Sequence, residues 1–153
     1  MRKTSATGGN ALLHFANYIL EFEGRYKKDM ILENPTQPID SGKNKILGHN
    51  AKITVKKSPT EKTNYVLEYP IKYGRTGGNS IWVERELTDM LYGWEYIQKR
   101  GAWITVDESF LELLRDNNLE FPEKIQGETK LNALFEEDKE LTKFLASYFK
   151  KMI

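Results

Sequence analysis

The spacing of hydrophobic residues changes once along this chain of 153 residues, and this change constrains the fold more than any other feature. Up to about residue 73, apolar and polar residues alternate, which is typical of strands with one polar face. After a Gly-rich break at residues 74–79 the apolar spacing becomes helical. The pattern predicts an α+β chain in two parts, residues 1–75 with the strands and residues 76–153 as a mostly helical lobe.

A short helix and three strands are expected in the first part. The helix covers residues 9–15, and the strands cover residues 16–23, 50–57 and 64–73. A connecting loop is expected at residues 29–44, which contain two prolines. Pro70 falls inside the third strand and has no backbone N–H to donate, so we expect this strand at a sheet edge or with a bulge.

The second part begins with an apolar stripe that indicates a helix. Its members recur at helical spacing and predict a single helix that ends at Gly101, with Trp94 in the core. These members are Leu87, Met90, Leu91, Trp94 and Ile97. Residues 102–106 are β-like, and Asp107 is positioned to cap the next helix. Two more helices are predicted at residues 129–136 and 138–152.

Composition excludes several classes of protein. An apolar fraction of 39% with 8 Tyr, 7 Phe and 3 Trp supports a packed core, and the lack of cysteine excludes disulfides and thiolate metal sites. No apolar run approaches the roughly 20 residues that span a bilayer, and no secretory signal is recognisable. The two histidines, His14 and His49, are too isolated to suggest a metal site. We therefore expect a cytoplasmic protein without a membrane partner.

Charge is distributed unevenly between the two parts. Residues 1–75 contain 13 Lys and Arg against 7 Asp and Glu, whereas residues 76–153 contain 10 against 15. An excess of positive charge favours polyanions such as nucleic acid or nucleotide phosphate, although a solvated lysine-rich surface gives the same composition.

The segment Thr7-Gly8-Gly9-Asn10 has the character of a loop inside a domain. A Thr/Gly loop that leads into an apolar helix and then a strand is expected to be preceded by another strand and by a bound ligand. The chain is therefore expected to be the back part of a larger nucleotide-using protein. Its front part would be encoded by a split or interrupted gene, or lost in a remnant or a shortened version.

Six short segments are distributed over most of the chain. They are Thr7-Gly8-Gly9-Asn10-Ala11-Leu12, Ile53-Thr54-Val55-Lys56-Lys57-Ser58, Tyr69-Pro70-Ile71-Lys72-Tyr73-Gly74, Glu86-Leu87-Thr88-Asp89-Met90, Lys99-Arg100-Gly101-Ala102-Trp103 and Lys124-Ile125-Gln126-Gly127. Together they resemble the C-terminal portion of the RecA family of DNA strand-exchange recombinases, including the phage UvsX type. The resemblance implies the last strands of a RecA-like α/β ATPase core followed by a small C-terminal lobe.

That family forms ATP-dependent filaments on single-stranded DNA and exchanges strands in homologous recombination and repair. The resemblance implies ATP and Mg²⁺ as cofactors of the assembled protein. Its implied partners are single- and double-stranded DNA and an N-terminal ATPase part or intact recombinase subunits. A Gly-x-x-x-x-Gly-Lys-Ser/Thr loop is required to hold the ATP phosphates. The only Gly-Lys pair is Gly42-Lys43, with Gln37 and Asn44 at the other motif positions, so we expect no ATP hydrolysis by this chain alone.

The resemblance also implies a lysine that acts on the ATP of a neighbouring subunit. The matching catalytic residue is Lys57, with Lys56 beside it, because a lysine ammonium offsets negative charge on phosphate oxygens. The family often has a second basic residue where this chain has Pro59, which puts that contact in doubt. Lys62 is the replacement candidate for holding phosphate beside Lys57. Two solvated lysines at a strand end are the simpler interpretation.

Candidate DNA contacts lie in both parts of the chain. The tail of the family's second DNA-binding loop corresponds to Arg2, Lys3, Thr4, Thr7, Gly8, Gly9 and Asn10. Basic and hydroxyl side chains and Gly backbone N–H groups suit phosphate oxygens. In the lobe, the resemblance implies duplex contacts by Lys99, Arg100 and Lys130. Trp82, Trp94 and Trp103 can stack on bases, although core packing is the more common role of such residues.

Two other classes of function fit the same residues. A stand-alone nucleic-acid-binding module predicts salt-sensitive DNA binding without a partner. An accessory protein or remnant that joins or caps recombinase filaments predicts no DNA binding alone but altered ATPase activity of the intact enzyme.

Overall fold

The chain is divided into two compact units, seen in a computed structural model that describes residues 10–40, 42–60 and 62–152. The first unit extends to Ile81 and the second begins at Trp82, whereas the sequence suggested a division between residues 75 and 76. Each unit contains an antiparallel sheet together with helix, so the chain is of mixed α and β structure. None of the helices in the described ranges is long and apolar enough to cross a membrane.

A long central strand organises the first unit. Its elements are α1 (Asn10–Phe15), β1 (Ile19–Phe22), a 3-10 turn (Lys27–Asp29), β2 (Met30–Leu32), β3 (Ile46–Lys57) and β4 (Tyr65–Lys72). At 12 residues, β3 is long enough to pair with β2 through its first half and with β1 through its second half. Strand β4 pairs along its other edge, and every pairing is antiparallel. The three strands predicted from alternation are present, and β2 lies where only a loop was expected.

Alternation along these strands gives the sheet two different faces. On one face the register places Ile53 beside Leu67 and Phe22, and Val55 beside Tyr65 and Leu20. We call these six residues the open apolar face. The opposite face is charged. It contains ion pairs from Lys52 to Asp29 (3.0 Å) and Glu68 (3.8 Å), and from Lys56 to Glu21 (2.9 Å).

The open apolar face is covered only at its centre. Ile53 is 8% exposed, whereas Phe22, Tyr65 and Leu67 are 67%, 56% and 43% exposed. Among the described residues of this unit, Ile31, Ile53 and Val55 are the buried apolar side chains. The first unit therefore leaves most of the open apolar face exposed.

An ion pair on the charged face joins the turn before β2 to strand β3. The Lys52 ammonium donates a hydrogen bond to Asp29 and so lowers the pKa of that carboxyl, while the same bond raises the pKa of Lys52. Asp29 also accepts a hydrogen bond from the backbone N–H of Tyr26 at 3.1 Å. These contacts hold the turn before β2 against the middle of β3.

Strand β4 lies at the sheet edge, as Pro70 predicts. Within the described residues β4 pairs with β3, and its other side makes a single bridge from Ile71 to Ile81. Pro70 lies opposite Asn50, where its missing N–H costs the ladder little. Two positions away, Gly48 lies so close to β4 that an added Cβ would collide with the carbonyl oxygen of Ile71.

The second unit packs helices on one face of a three-stranded sheet. Its elements are α2 (Val83–Gly93), β5 (Ile97–Arg100), β6 (Trp103–Val106), α3 (Glu108–Asp116), β7 (Lys124–Gln126), α4 (Gly127–Glu137) and α5 (Lys139–Met152). The sheet order is β5-β6-β7, all antiparallel. Ile97, Ile104 and Ile125 join apolar side chains of all four helices in one buried cluster. The predicted helical lobe therefore contains a sheet, of which the sequence suggested only β6.

The single helix predicted from residue 87 to Gly101 is wrong. Helix α2 ends at Gly93, and Ile97 begins β5. Glu95 has a left-handed φ of 61° between them, so the chain reverses there. Trp94 is consequently 45% exposed instead of buried. Gly101, at a φ of 62°, forms the turn between β5 and β6 and does not end a helix.

The predicted cap of α3 is confirmed. The Asp107 carboxylate accepts a hydrogen bond from the backbone N–H of Ser109 at 2.9 Å and also contacts the Ser109 hydroxyl. These hydrogen bonds hold the pKa of Asp107 below its usual range. The cap fixes the point at which β6 passes into α3.

Candidate nucleic-acid interface

The outer side of the second sheet combines basic, amide and aromatic side chains. Strand alternation turns Ile97, Ile104 and Ile125 toward the helices and the intervening residues outward. The register aligns Arg100 with Trp103, Trp103 with Gln126, and Thr105 with Gln98 and Lys124. We call this surface the basic sheet face; its residues are Gln98, Arg100, Trp103, Thr105, Lys124 and Gln126.

Trp103 lies on the central strand of this face. Its side chain is 50% exposed, although burial of an indole stabilises a fold. Together with Arg100, Thr105 and Lys124 it lines a shallow concavity of about 440 Å³. The other tryptophans differ, because Trp82 is buried with Arg85 over its ring at 5.8 Å, and Trp94 lies at the end of α2. Trp103 is thus the tryptophan best placed for stacking.

The positive charges of the basic sheet face are not neutralised by the surrounding chain. Arg100 and Lys124 form no ion pair with any residue in the described ranges, and no carboxylate belongs to the face. Lys130 reaches the same face from α4 and donates a hydrogen bond to Gln126 Oε1 at 3.1 Å. Arg100 and Lys124 therefore lie beside Trp103 and Lys130 lies beside Gln126, in a unit whose total charge is acidic.

The structure separates the three lobe residues that the sequence analysis grouped. Arg100 lies on the basic sheet face, and Lys130 contacts this face through its hydrogen bond to Gln126. Lys99 alternates with Arg100 along β5, and its ammonium lies 3.1 Å from the Glu128 carboxylate. Lys124 was missed because β7 has only three residues and its alternation is too short to recognise. The Lys-Ile-Gln alternation at residues 124–126 agrees with the observed strand, but three residues do not establish a period on their own.

The structure also separates the two lysines at the end of β3. Lys57 follows Val55 on the side of the open apolar face, and its Nζ donates to the backbone carbonyl oxygen of His14, at 3.4 Å. Lys56 projects from the opposite face, where it pairs with Glu21. Lys62 is exposed between β3 and β4. The sheet therefore does not bring Lys56 and Lys57 to one phosphate site, and only Lys57 lies beside the open apolar face.

Most of the predicted DNA-loop residues lie outside the described part of the chain. These are Arg2, Lys3, Thr4, Thr7, Gly8 and Gly9. Asn10 is the first residue of α1. Among the described residues, no group of three or more His, Asp and Glu side chains could hold a metal ion.

No protein-family model matches the chain, and no curated protein matches it.

Proposed function

We propose that this chain is the C-terminal part of a RecA-like, ATP-dependent recombinase of the cytoplasm that exchanges DNA strands in homologous recombination and repair. The observation that carries the proposal is the basic sheet face, which presents uncompensated cations around an exposed indole. Phosphate oxygens are the natural ligands of such cations, and their neutralisation releases counterions from DNA. In this proposal the second unit supplies DNA contacts to a filament on single-stranded DNA.

The open apolar face of the first sheet supports the further proposal that an ATPase part completes the protein. Exposed side chains such as Phe22, Tyr65 and Leu67 gain stability when a partner removes them from water. The proposed partner is the N-terminal ATPase part that holds the phosphate-binding loop. It would cover this face and pair with the edge of β1 that has no strand partner among the described residues.

Lys57 is the proposed link to ATP hydrolysis. It lies at the end of β3, beside the open apolar face, and its side chain is only partly buried. In the assembled protein, ATP with Mg²⁺ would lie between subunits. The Lys57 ammonium would then offset the negative charge that develops on the phosphate oxygens of the neighbouring subunit.

The DNA part of the proposal predicts that DNA binding becomes less dependent on salt when the cations of the basic sheet face are removed. In the double variant Arg100→Ala/Lys124→Ala, we expect at least tenfold weaker binding of a fluorescein-labelled 20-mer DNA. We also expect the slope of log K against log salt to fall by about 1.4, because each lost phosphate contact contributes about 0.7 on a single strand. Fluorescence anisotropy at several salt concentrations measures both quantities.

A variant of equal charge serves as the control for that experiment. Lys143→Ala/Lys151→Ala removes two exposed cations from α5, and we expect it to bind nearly as tightly as the wild type. An equal loss in both double variants would mean that net charge, and not the basic sheet face, attracts DNA. Absence of DNA binding by the wild-type chain would contradict the proposed DNA contacts.

The ATPase part of the proposal predicts a specific role for Lys57. We expect the chain to raise DNA-dependent ATP turnover when it is mixed with the N-terminal ATPase part of a RecA-like recombinase, which carries the phosphate-binding loop. Lys57→Ala should reduce this gain at least tenfold, because the charge on the phosphate oxygens is no longer offset. Lys45→Ala, which removes an exposed lysine just before β3, should leave the gain unchanged.

The same mixing experiment distinguishes the two alternative functions. DNA binding without any effect on ATP turnover would favour a stand-alone nucleic-acid-binding module, which the basic sheet face also fits. A change in the ATPase activity of an intact recombinase, without DNA binding by this chain, would favour a filament-interacting accessory protein or remnant.

A further inference from the structure

We infer that the basic sheet face binds single-stranded DNA by stacking an unpaired base on the indole of Trp103. This inference rests on the proposed DNA function and narrows it, because contact with phosphates alone would not distinguish a single strand from a duplex. It assigns Trp103 a role in binding and makes Arg100 and Lys124 the phosphate contacts on either side of the stacked nucleotide.

The position of Trp103 within the sheet provides a platform for one base. Arg100 on β5 and Gln126 on β7 are its register partners on the two sides. Side chains directly opposite on neighbouring strands have Cβ atoms about 4.5–5.5 Å apart. The indole is therefore flanked by a guanidinium on one side and an amide on the other, with its exposed half left for a ligand.

The breadth of the sheet argues against insertion into duplex DNA. The major groove is about 12 Å wide and accommodates a helix or a two-stranded ribbon. Three strands spaced about 4.8 Å apart place the outer two about 10 Å apart, and the sheet has one strand more than the ribbon that the groove accommodates. A duplex would meet this face only through its phosphates, because its base faces are already stacked on one another. An unpaired base has a free π-face, so it alone gains from the exposed indole.

The remaining residues of the face suit an unpaired nucleotide. Amide side chains supply both donors and acceptors for the hydrogen-bonding edge of a base. Gln126 accepts the Lys130 hydrogen bond through Oε1, so its NH₂ group is left to donate. Thr105 donates to the backbone carbonyl of Gln98 at 3.2 Å and keeps its own lone pairs available. Such groups favour a single strand without strict sequence preference.

The test compares a ligand that offers unpaired bases to the indole with two ligands that do not. The full chain is titrated with a labelled dT 20-mer, with the same oligonucleotide carrying abasic sites, and with a 20-base-pair duplex. We expect the dT strand to bind most tightly. Trp103→Ala should weaken its binding by about 5- to 150-fold, the range measured for loss of one stacked base. Binding of the abasic strand and of the duplex should change by less than about twofold.

A conservative variant separates stacking from structural damage. Trp103→Phe retains an aromatic ring and should recover most of the affinity for the dT strand, while circular dichroism verifies that both variants are folded. Tryptophan fluorescence of the wild type should be quenched by the dT strand, and Trp103→Phe should abolish that quenching.

The possible outcomes distinguish this inference from the proposed function. If Trp103→Ala weakens single-strand and duplex binding equally, or if the abasic strand binds as tightly as dT, base stacking is wrong while DNA binding stands. Tighter binding of the duplex than of dT overturns the inference in the same way. If neither nucleic acid binds the wild-type chain, the proposed DNA function fails together with the inference.

Discussion

Replacement of Phe135 by alanine should lower the free energy of unfolding of the second unit by about 3–5 kcal/mol. Phe135 lies on α4, is fully buried, and belongs to the cluster that joins the helices to the three-stranded sheet. Its ring stacks on Phe121 with a centroid separation of 6.0 Å. Truncation removes apolar area from the core and leaves a cavity that the rigid surroundings close only in part.

Tryptophan fluorescence during urea denaturation measures this loss selectively. The 3 tryptophans of the chain, Trp82, Trp94 and Trp103, all lie in the second unit. Glu137→Ala in the same helix replaces an exposed residue and should change stability by no more than about 0.5 kcal/mol. A loss below about 1 kcal/mol for Phe135→Ala would mean that Phe135 does not lie in a close-packed core.

Among glycine-to-alanine substitutions at the described positions of the first unit, Gly48→Ala should be the most damaging, with an expected cost of about 3 kcal/mol, the upper end of the usual range for overpacking. The added Cβ collides with the carbonyl oxygen of Ile71. This atom belongs to the backbone of the paired strand β4, so it cannot swing aside as a flexible side chain would. Relief requires β3 and β4 to separate at Gly48 and Lys72, which are partners in the ladder.

Amide hydrogen exchange followed by mass spectrometry measures this effect in peptides that cover β3 and β4. A cost of about 3 kcal/mol corresponds to a protection roughly 100-fold lower in the variant. Gly24→Ala is the matched control, because no atom lies within 4 Å of the added methyl group; it should leave the protection unchanged or slightly higher. Equal protection in Gly48→Ala and the wild type would contradict the close approach of the two strands.

The parts of the fold that could be predicted are those with several periods of a regular pattern or a distinctive local signal. β3 and β4 are long enough for their alternation to be recognised, and Pro70 indicated an edge because it has no N–H to donate. Asp107 indicated a helix start for an equally local reason. By contrast, β2, β5 and β7 have three or four residues each, and, unlike the equally short β1, none of them lies within a longer alternating segment. They become strands because a neighbouring strand pairs with them.

The boundary of α2 shows that two different backbone structures can have the same spacing of hydrophobic residues. Ile97 lies ten positions after Leu87, which fits a continuing helix, but a left-handed residue at Glu95 turns the chain into β5. Ile97 still enters the same core as Leu87. The hydrophobic pattern therefore identified Leu87, Leu91 and Ile97 as core residues, but it placed the exposed Trp94 in the core and misassigned the backbone that carries Ile97.

Prediction of the candidate site required even more information that a single sequence does not contain. Arg100 and Lys130 were proposed through a resemblance, and only the register of the sheet relates them to Lys124 and Trp103. The opposite orientations of Lys56 and Lys57 follow from alternation once both are known to lie within β3. Pairing between distant segments supplied the information in each case.

The outward position of the basic sheet face has a consequence for its evolution. The core of the second unit is built from the residues between those of the face, so substitutions at Arg100, Trp103 or Lys124 remove no core contact. Natural variation at these positions can therefore alter ligand preference while the scaffold stays intact. Over many generations this face can diverge faster than the isoleucines beneath it, and new specificities can arise on an unchanged lobe.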